Sequence, residues 1–207
     1  QEFRKNLPVH AFRRQLVRAI LGKADGTSNG KSSDHHKKSS SHDKVVLITA
    51  ETGSGKSTQI PAYLLTVTPT VGGIAVTQPR RVAAITLAQR VSLENGEARV
   101  GKRIGYRVRF DDCTHPHETQ LVYLTDGMLL REAMVDPTLL RYNVVFLDES
   151  HERSLQTDIL LGVVQRARKQ RAAKGASPLR VVVMSATLQL ETFRTFFGGP
   201  AKVNEIA

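Results

Sequence analysis

The sequence predicts an α/β fold, a parallel β-sheet with helices on both faces. Three observations predict it. Short apolar runs rich in β-branched residues recur at 45–49, 74–77, 120–124, 144–148 and 180–184. Helical patterns at 58–65, 82–93, 127–135, 157–174 and 190–197 separate several of them. The runs are apolar on both faces instead of alternating, as in strands covered from both sides. Ligands of such sheets bind at the carboxyl ends of the strands.

The chain divides into three parts. Residues 1–21 form a helical lead-in: Phe12, Leu16, Val17 and Ile20 fall at helical spacing between Arg13, Arg14 and Arg18, which predicts an amphipathic helix over 10–21. Residues 22–43 hold no apolar side chain larger than Ala, so they cannot bury enough surface to offset their ordering entropy and are expected to form a flexible polar insertion. Lys31, Lys37 and Lys38 lie there, as do His35, His36 and His42, which lack the Cys partners or helical spacing of a zinc site. Residues 44–207 carry the alternation of strands and helices.

Composition narrows the function. The 207 residues are 40% hydrophobic, enough for one full core. Lys and Arg number 30 against 19 Asp and Glu, a net charge of +11 that favours a polyanionic partner. Cys113 is the only cysteine, which excludes an intrachain disulfide and suits a reducing compartment. No apolar run approaches the roughly 18 residues that span a bilayer, and residues 1–8 lack the apolar core of a secretory signal. A soluble intracellular protein with no membrane partner is expected. Aromatic residues are 5% with no Trp, so base stacking would fall mainly to Arg planes.

The strongest chemical signal is Ala50-Glu51-Thr52-Gly53-Ser54-Gly55-Lys56-Ser57, followed by Thr58, between a strand and a helix. The backbone N–H groups of such a loop, here Thr52 to Thr58, point at phosphate oxygens, helped by the positive end of the next helix. Gly53 and Gly55 let the backbone come close. Lys56 reaches the β and γ phosphates and the Ser57 hydroxyl ligates Mg²⁺. Ala50 stands where the usual pattern opens with Gly, one methyl group more. A matching acidic motif, Asp148-Glu149-Ser150-His151, ends a second apolar run. Asp148 is placed to hold Mg²⁺, with Glu149 and Ser57 as further candidate ligands, and Glu149 to orient and deprotonate the attacking water. A polar His151 next to it suits sensing of the γ-phosphate.

Several segments together resemble the DEAH-box RNA helicases of superfamily 2. They are Leu7-Pro8-Val9-His10, the phosphate loop, Thr77-Gln78-Pro79-Arg80-Arg81-Val82-Ala83-Ala84, Gly105-Tyr106-Arg107-Val108-Arg109-Phe110, Thr125-Asp126-Gly127-Met128-Leu129-Leu130-Arg131-Glu132, Asp148 to Arg153, and Met184-Ser185-Ala186-Thr187. They follow the family's order. Ser150 replaces the Ala that the family name implies, adding a hydroxyl where no catalytic atom lies.

The resemblance implies the first RecA-like lobe, a P-loop fold that binds ATP or other nucleoside triphosphates with Mg²⁺. It implies catalytic roles for Lys56, Asp148, Glu149 and His151, and a nucleotide-base contact from Arg90, which could equally be an ordinary helix arginine. Single-stranded RNA would be held by Arg80, Arg81, Arg109, Thr125, Asp126 and Gly127. A salt-bridged helix start is the structural alternative for Arg80 and Arg81. Ser185 and Thr187 would couple the two sites, or simply cap the next helix. Further partners would be an activating protein cofactor or a large RNA–protein assembly. Ribosome biogenesis or splicing is the implied setting, with a nuclear, above all nucleolar, location and the cytoplasm as the alternative. The second lobe with its arginine fingers, and the domains after it, are not among these 207 residues, so the fragment alone is expected to be nearly inactive.

Two other readings stand beside this one. Another phosphate-loop ATPase, such as a DNA helicase or transporter subunit, is opposed by the segments at 77–84 and 125–132. An RNA-binding assembly factor with a weak or inactive ATP site is opposed by Lys56, Asp148 and Glu149.

Overall fold

A computed structural model describes residues 4, 6–22, 45–67, 73–186, 190–198 and 203–206. Two helices lead in, α1 (Pro8–Ala11) and α2 (Arg13–Leu21). The sequence predicts one helix over 10–21; the chain instead turns helical at Pro8, whose fixed φ suits a first helical position, and breaks at Phe12. Of the expected flexible insertion at 22–43, only Gly22 lies within the described residues.

The elements that follow are β1 (Val45–Thr49), α3 (Lys56–Val67), β2 (Gly73–Gln78), α4 (Arg81–Glu94), β3 (Ile104–Val108), β4 (Asp111–Cys113) and β5 (Leu121–Thr125). After them come α5 (Asp126–Val135), β6 (Tyr142–Leu147), a short 3₁₀ turn (Ser150–Glu152), α6 (Leu155–Ala173), β7 (Arg180–Ser185), α7 (Leu190–Phe197) and β8 (Val203–Ile206). The sheet runs β4-β3-β5-β2-β6-β7-β1-β8. Every neighbouring pair is parallel except β3 with β4.

Residues of each central strand alternate between two cores. On one face Val46, Ile48, Ile74, Val76, Phe146, Val182 and Met184 pack against α1 to α4 through Val9, Leu16, Ile20, Ile60, Ala84 and Val91. On the other, Val45, Leu47, Ala75, Val145, Leu147, Val181 and Val183 pack against α5, α6 and α7 through Leu129, Leu160, Val164 and Phe193. A strand buried on both faces has no polar side to write into the sequence, which is why these runs are continuously apolar.

Strands β3 and β4 are absent from the sequence prediction. Arg107 interrupts the apolar run of β3, yet its side chain is only 14% exposed. Its guanidinium donates to Asp112 at 2.7 Å, Glu132 at 2.5 Å and Thr114 at 3.1 Å, so the cost of desolvating the charge is offset by three partners. Those partners come from β4, α5 and the turn after β4, and no local pattern announces them. Strand β4 is a three-residue polar edge, Asp111-Asp112-Cys113.

Candidate nucleotide site and the adjoining strand edge

Because the sheet is parallel, the carboxyl ends of its strands share one edge. The phosphate loop follows β1, Asp148 follows β6 and Ser185 ends β7, so three strands adjacent in the order β6-β7-β1 deliver these segments side by side. Along the other half of the edge, Arg109 follows β3, Thr125 ends β5, and Arg80 lies two residues past β2.

The phosphate loop turns through two left-handed residues, Gly53 (φ +87°) and Gly55 (φ +92°). They serve different needs. A Cβ on Gly53 would meet nothing within 4 Å, leaving the backbone open to a ligand. One on Gly55 would stand 3.0 Å from Leu7 Cδ1 and 3.2 Å from Val9 Cγ2, so Gly55 also admits the lead-in segment. The Val9 N–H donates to Ser54 O at 3.4 Å.

Lys56 is 3% exposed, and its Nζ lies 3.4 Å from Glu149 Oε1. Its side chain is thus shielded by the fold, where the charge acts more strongly than in bulk water. Asp148 is 1% exposed. It accepts from Gln78 Nε2 at 2.5 Å, from the Glu149 N–H at 2.9 Å and from the Ser57 hydroxyl. Burial still dominates and pushes its carboxyl up to about 6, with the Glu149 charge adding to the effect against the Ser57 and Gln78 hydrogen bonds.

Glu149 sits in left-handed backbone (φ 51°), which turns its side chain back towards the loop. Its Oε2 is 3.5 Å from His151 Nε2, and the Ala186 N–H donates to His151 Nδ1 at 3.3 Å. An N–H can only donate, so Nδ1 is the bare nitrogen and the ring proton sits on Nε2, facing Glu149. Lys56, Glu149, His151 and Ala186 therefore form one chain from the phosphate loop to the end of β7. Ser150 Oγ, fully buried, donates to Leu147 O at 2.9 Å. The extra hydroxyl is internally satisfied and points away from the chemistry.

An open cavity of about 150 Å³ joins Thr52, Gly53, Gly55, Lys56, Ser57 and Thr58 to Glu149, Leu7, Leu87 and Arg90. Arg90, from the middle of α4, is thereby brought to the phosphate loop. Ser54 is buried on the loop's inner side instead, its Oγ without a hydrogen bond. Among the described residues no group of three or more His, Cys, Asp or Glu converges. Ser57 and Asp148 are the pair available to a cation, as suits Mg²⁺, which shares its shell with phosphates and waters. Glu149, the third candidate ligand, faces Lys56 and His151.

The second group of sequence-predicted residues divides. Arg80 (74% exposed), Arg81 and Arg109 are exposed. Arg80 pairs with Glu152 at 3.1 Å and stands at the N-cap of α4, so the salt-bridged alternative is present too. So exposed a pair contributes little and leaves the guanidinium available. Arg109 lies over the Phe110 ring at 4.8 Å. Thr125 is half-buried at the N-cap of α5. At Asp126 the expected RNA contact is through backbone, and the side chain is turned inward. Its carboxylate is 1% exposed and accepts from Thr157 Oγ1 at 2.5 Å, while Thr157 N–H donates to Ser154 Oγ at 3.0 Å to cap α6. Asp126 is a tie between α5 and α6, held inward because α6 needs that anchor, and what it leaves for a ligand is backbone. A Cβ on Gly127 would stand 3.2 Å from Gln156 Oε1, so this turn is closely overlaid by α6. Ser185 is buried, its carbonyl accepting from the Ala50 N–H at 3.2 Å, which links the end of β7 to the phosphate loop. Thr187 lies outside the described residues.

Sequence reasoning missed Gln78, Tyr123, Gln59 and Glu94. Only Tyr123 left a signal: Pro61 inside α3 withholds an N–H from a helix carbonyl, which calls for a donor from elsewhere.

A phosphate-binding loop after β1, an acidic pair after β6 and a polar relay to β7 define a nucleotide-binding RecA-like lobe. The DEAD/DEAH box helicase family matches residues 36–196, and the chain belongs to it. It is 55% identical over 158 residues to the ATP-dependent RNA helicase DHX33 of Homo sapiens, covering 76% of this chain and 22% of that protein. It is 52% identical over 156 residues to the probable ATP-dependent RNA helicase DHX35 of Homo sapiens, covering 74% and 21%. Mouse (Mus musculus) DHX33 is 54% identical over 156 residues. The chain thus spans about a fifth of the length of these relatives.

Proposed function

We propose that the protein to which this chain belongs is an ATP-dependent RNA helicase, and that these residues are its nucleotide-binding half-site. The observation that carries the reading is the chain Lys56–Glu149–His151–Ala186, set on the same strand edge as Arg80, Arg81, Arg109 and Thr125.

Lys56, its side chain buried beside the loop, neutralises phosphate charge. Glu149, already within ion-pair distance of Lys56, is freed to accept a proton from water once phosphates compete for that lysine. Ser57 and Asp148 would hold Mg²⁺, which supplies positive charge to the phosphate oxygens when bound. His151 lies with Nε2 3.5 Å from Glu149 Oε2 and accepts the Ala186 N–H through Nδ1, so a change at Glu149 is felt at the end of β7. Gln78–Asp148 and Arg80–Glu152 connect the nucleotide half of the edge to the RNA half. Arg80, Arg81 and Arg109 take phosphates of single-stranded RNA, with backbone at 125–127 beside them. The family resemblance supports translocation in the 3′ to 5′ direction by closure against a second lobe, other nucleoside triphosphates as alternative substrates and an activating protein cofactor. It also supports work on RNA–protein assemblies of ribosome biogenesis or splicing, in the nucleus.

Steady-state phosphate release by the full-length protein, with and without single-stranded RNA, tests the reading. RNA-stimulated turnover that Glu149→Gln abolishes, while MgATP still binds, is the expected result. MgATP-independent RNA binding with no turnover would identify an assembly factor instead.

A further inference from the structure

The nucleotide cavity has a side that phosphates do not explain. Beyond the loop it is walled by Leu7, Leu87 and Arg90. Two apolar side chains and a flat guanidinium suit the face of a nucleotide base. Arg90 is 53% exposed, and a free arginine there would sample many rotamers.

Glu94 restricts it. Its Oε1 accepts from Arg90 Nε at 2.9 Å, and its Oε2 accepts from Gln59 Nε2 at 2.7 Å. Gln59 is fully buried on α3, and its amide also donates to Thr58 Oγ1 at 3.1 Å, inside the phosphate loop's own helix turn. From the lead-in segment, Arg4 Nε donates to Gln59 Oε1 at 2.8 Å and Arg4 Nη1 to the Glu94 carbonyl at 2.9 Å. Helix stability does not account for this arrangement. An Arg preceding a Glu by four residues is the weaker orientation of such a pair, and half-exposed pairs contribute little. What distinguishes Glu94 is that its second oxygen is pinned to the phosphate-loop helix.

We infer that Glu94, braced by Gln59 and Arg4, is a positioning residue that fixes Arg90 in the wall of the nucleotide cavity and so sets affinity for the base. The inference rests on the nucleotide-site reading above.

The test compares MgATP with magnesium tripolyphosphate, which has the phosphates and no base, by calorimetry on the full chain. Arg90→Ala is expected to weaken MgATP by about fivefold, the equivalent of ~1 kcal/mol. Glu94→Ala should do the same, and the double variant should be no weaker than Arg90→Ala. Tripolyphosphate affinity should stay constant in all three. Glu94→Gln, keeping one acceptor oxygen for two donors, should fall between wild type and Glu94→Ala. Loss of MgATP affinity in Arg90→Ala but not in Glu94→Ala overturns the inference. Equal weakening of both ligands by Glu94→Ala also overturns it, because that is damage to α3. If Lys56→Ala weakens both ligands while Arg90→Ala weakens neither, the base-side inference falls and the phosphate-loop reading stands. If Lys56→Ala also changes nothing, the nucleotide-site reading falls with it.

Discussion

The hydroxyl of Tyr123 on β5 donates to the main-chain carbonyl of Ser57 at 2.8 Å. Pro61 is the cause. It lies inside α3, four residues after Ser57, and has no N–H to give that carbonyl. A side chain from the sheet supplies the missing donor, and in doing so ties down the turn that carries Lys56 and Ser57. Tyr123 is fully buried, which pushes its phenol well above its ordinary value and keeps the proton on the oxygen as a donor.

Replacing Tyr123 with Phe should therefore leave a buried carbonyl unpaired. The expected loss of stability is about 1–3 kcal/mol, read from chemical denaturation midpoints. MgATP affinity should drop as well, since Ser57 loses its anchor. A variant with unaltered stability would show that water or local relaxation replaces the hydroxyl.

Lys56→Ala should weaken MgATP binding by at least about tenfold, or ~1.4 kcal/mol. The substitution removes the buried cation and leaves Glu149 facing His151 alone. Fluorescent-nucleotide titration provides the measurement, and equal affinities would remove the phosphate-loop assignment.

Asp148 predicts a pH dependence. Its folded value of about 6 lies above the ordinary 3.8, so the folded chain holds this proton more tightly than the unfolded chain. Its contribution to stability is therefore favourable at low pH and declines as pH rises from about 4 through about 6. The carboxylate formed at higher pH is one that gains from a cation. The rise in melting temperature given by Mg²⁺ with nucleotide should be larger at about pH 7 than at about pH 5. Asp148→Asn controls for titration of the nucleotide itself and should flatten the difference; an identical pH profile in the two proteins would contradict this account.

Replacing Arg80 and Arg81 together should weaken RNA binding alike for all sequences. The slope of log K against log salt should become shallower by roughly 1.4, about 0.7 for each single-strand phosphate that the protein no longer neutralises. An unchanged slope would assign both arginines to the Glu152 pairing and the start of α4.

The sheet's central strands, the phosphate loop and the acidic pair are legible in consecutive residues alone. Each of these depends on local pattern. A strand buried on both faces must be apolar throughout, and a loop that cradles phosphates needs glycines and a lysine at fixed spacing, so both are written in consecutive residues. Which side chains meet across elements depends on how the elements pack, and no local pattern carries it. Arg107 could become a buried strand residue because Glu132 and Asp112, from other elements, came to it. Asp126 turned inward because α6 brought Thr157 against it. Glu94 reached Arg90 within its own helix, but it became an anchor through Gln59 on α3. Even the proline four residues past Ser57 announced only a missing donor. That Tyr123 fills it follows from β5 passing beside α3, and from the cost of leaving a buried carbonyl unpaired.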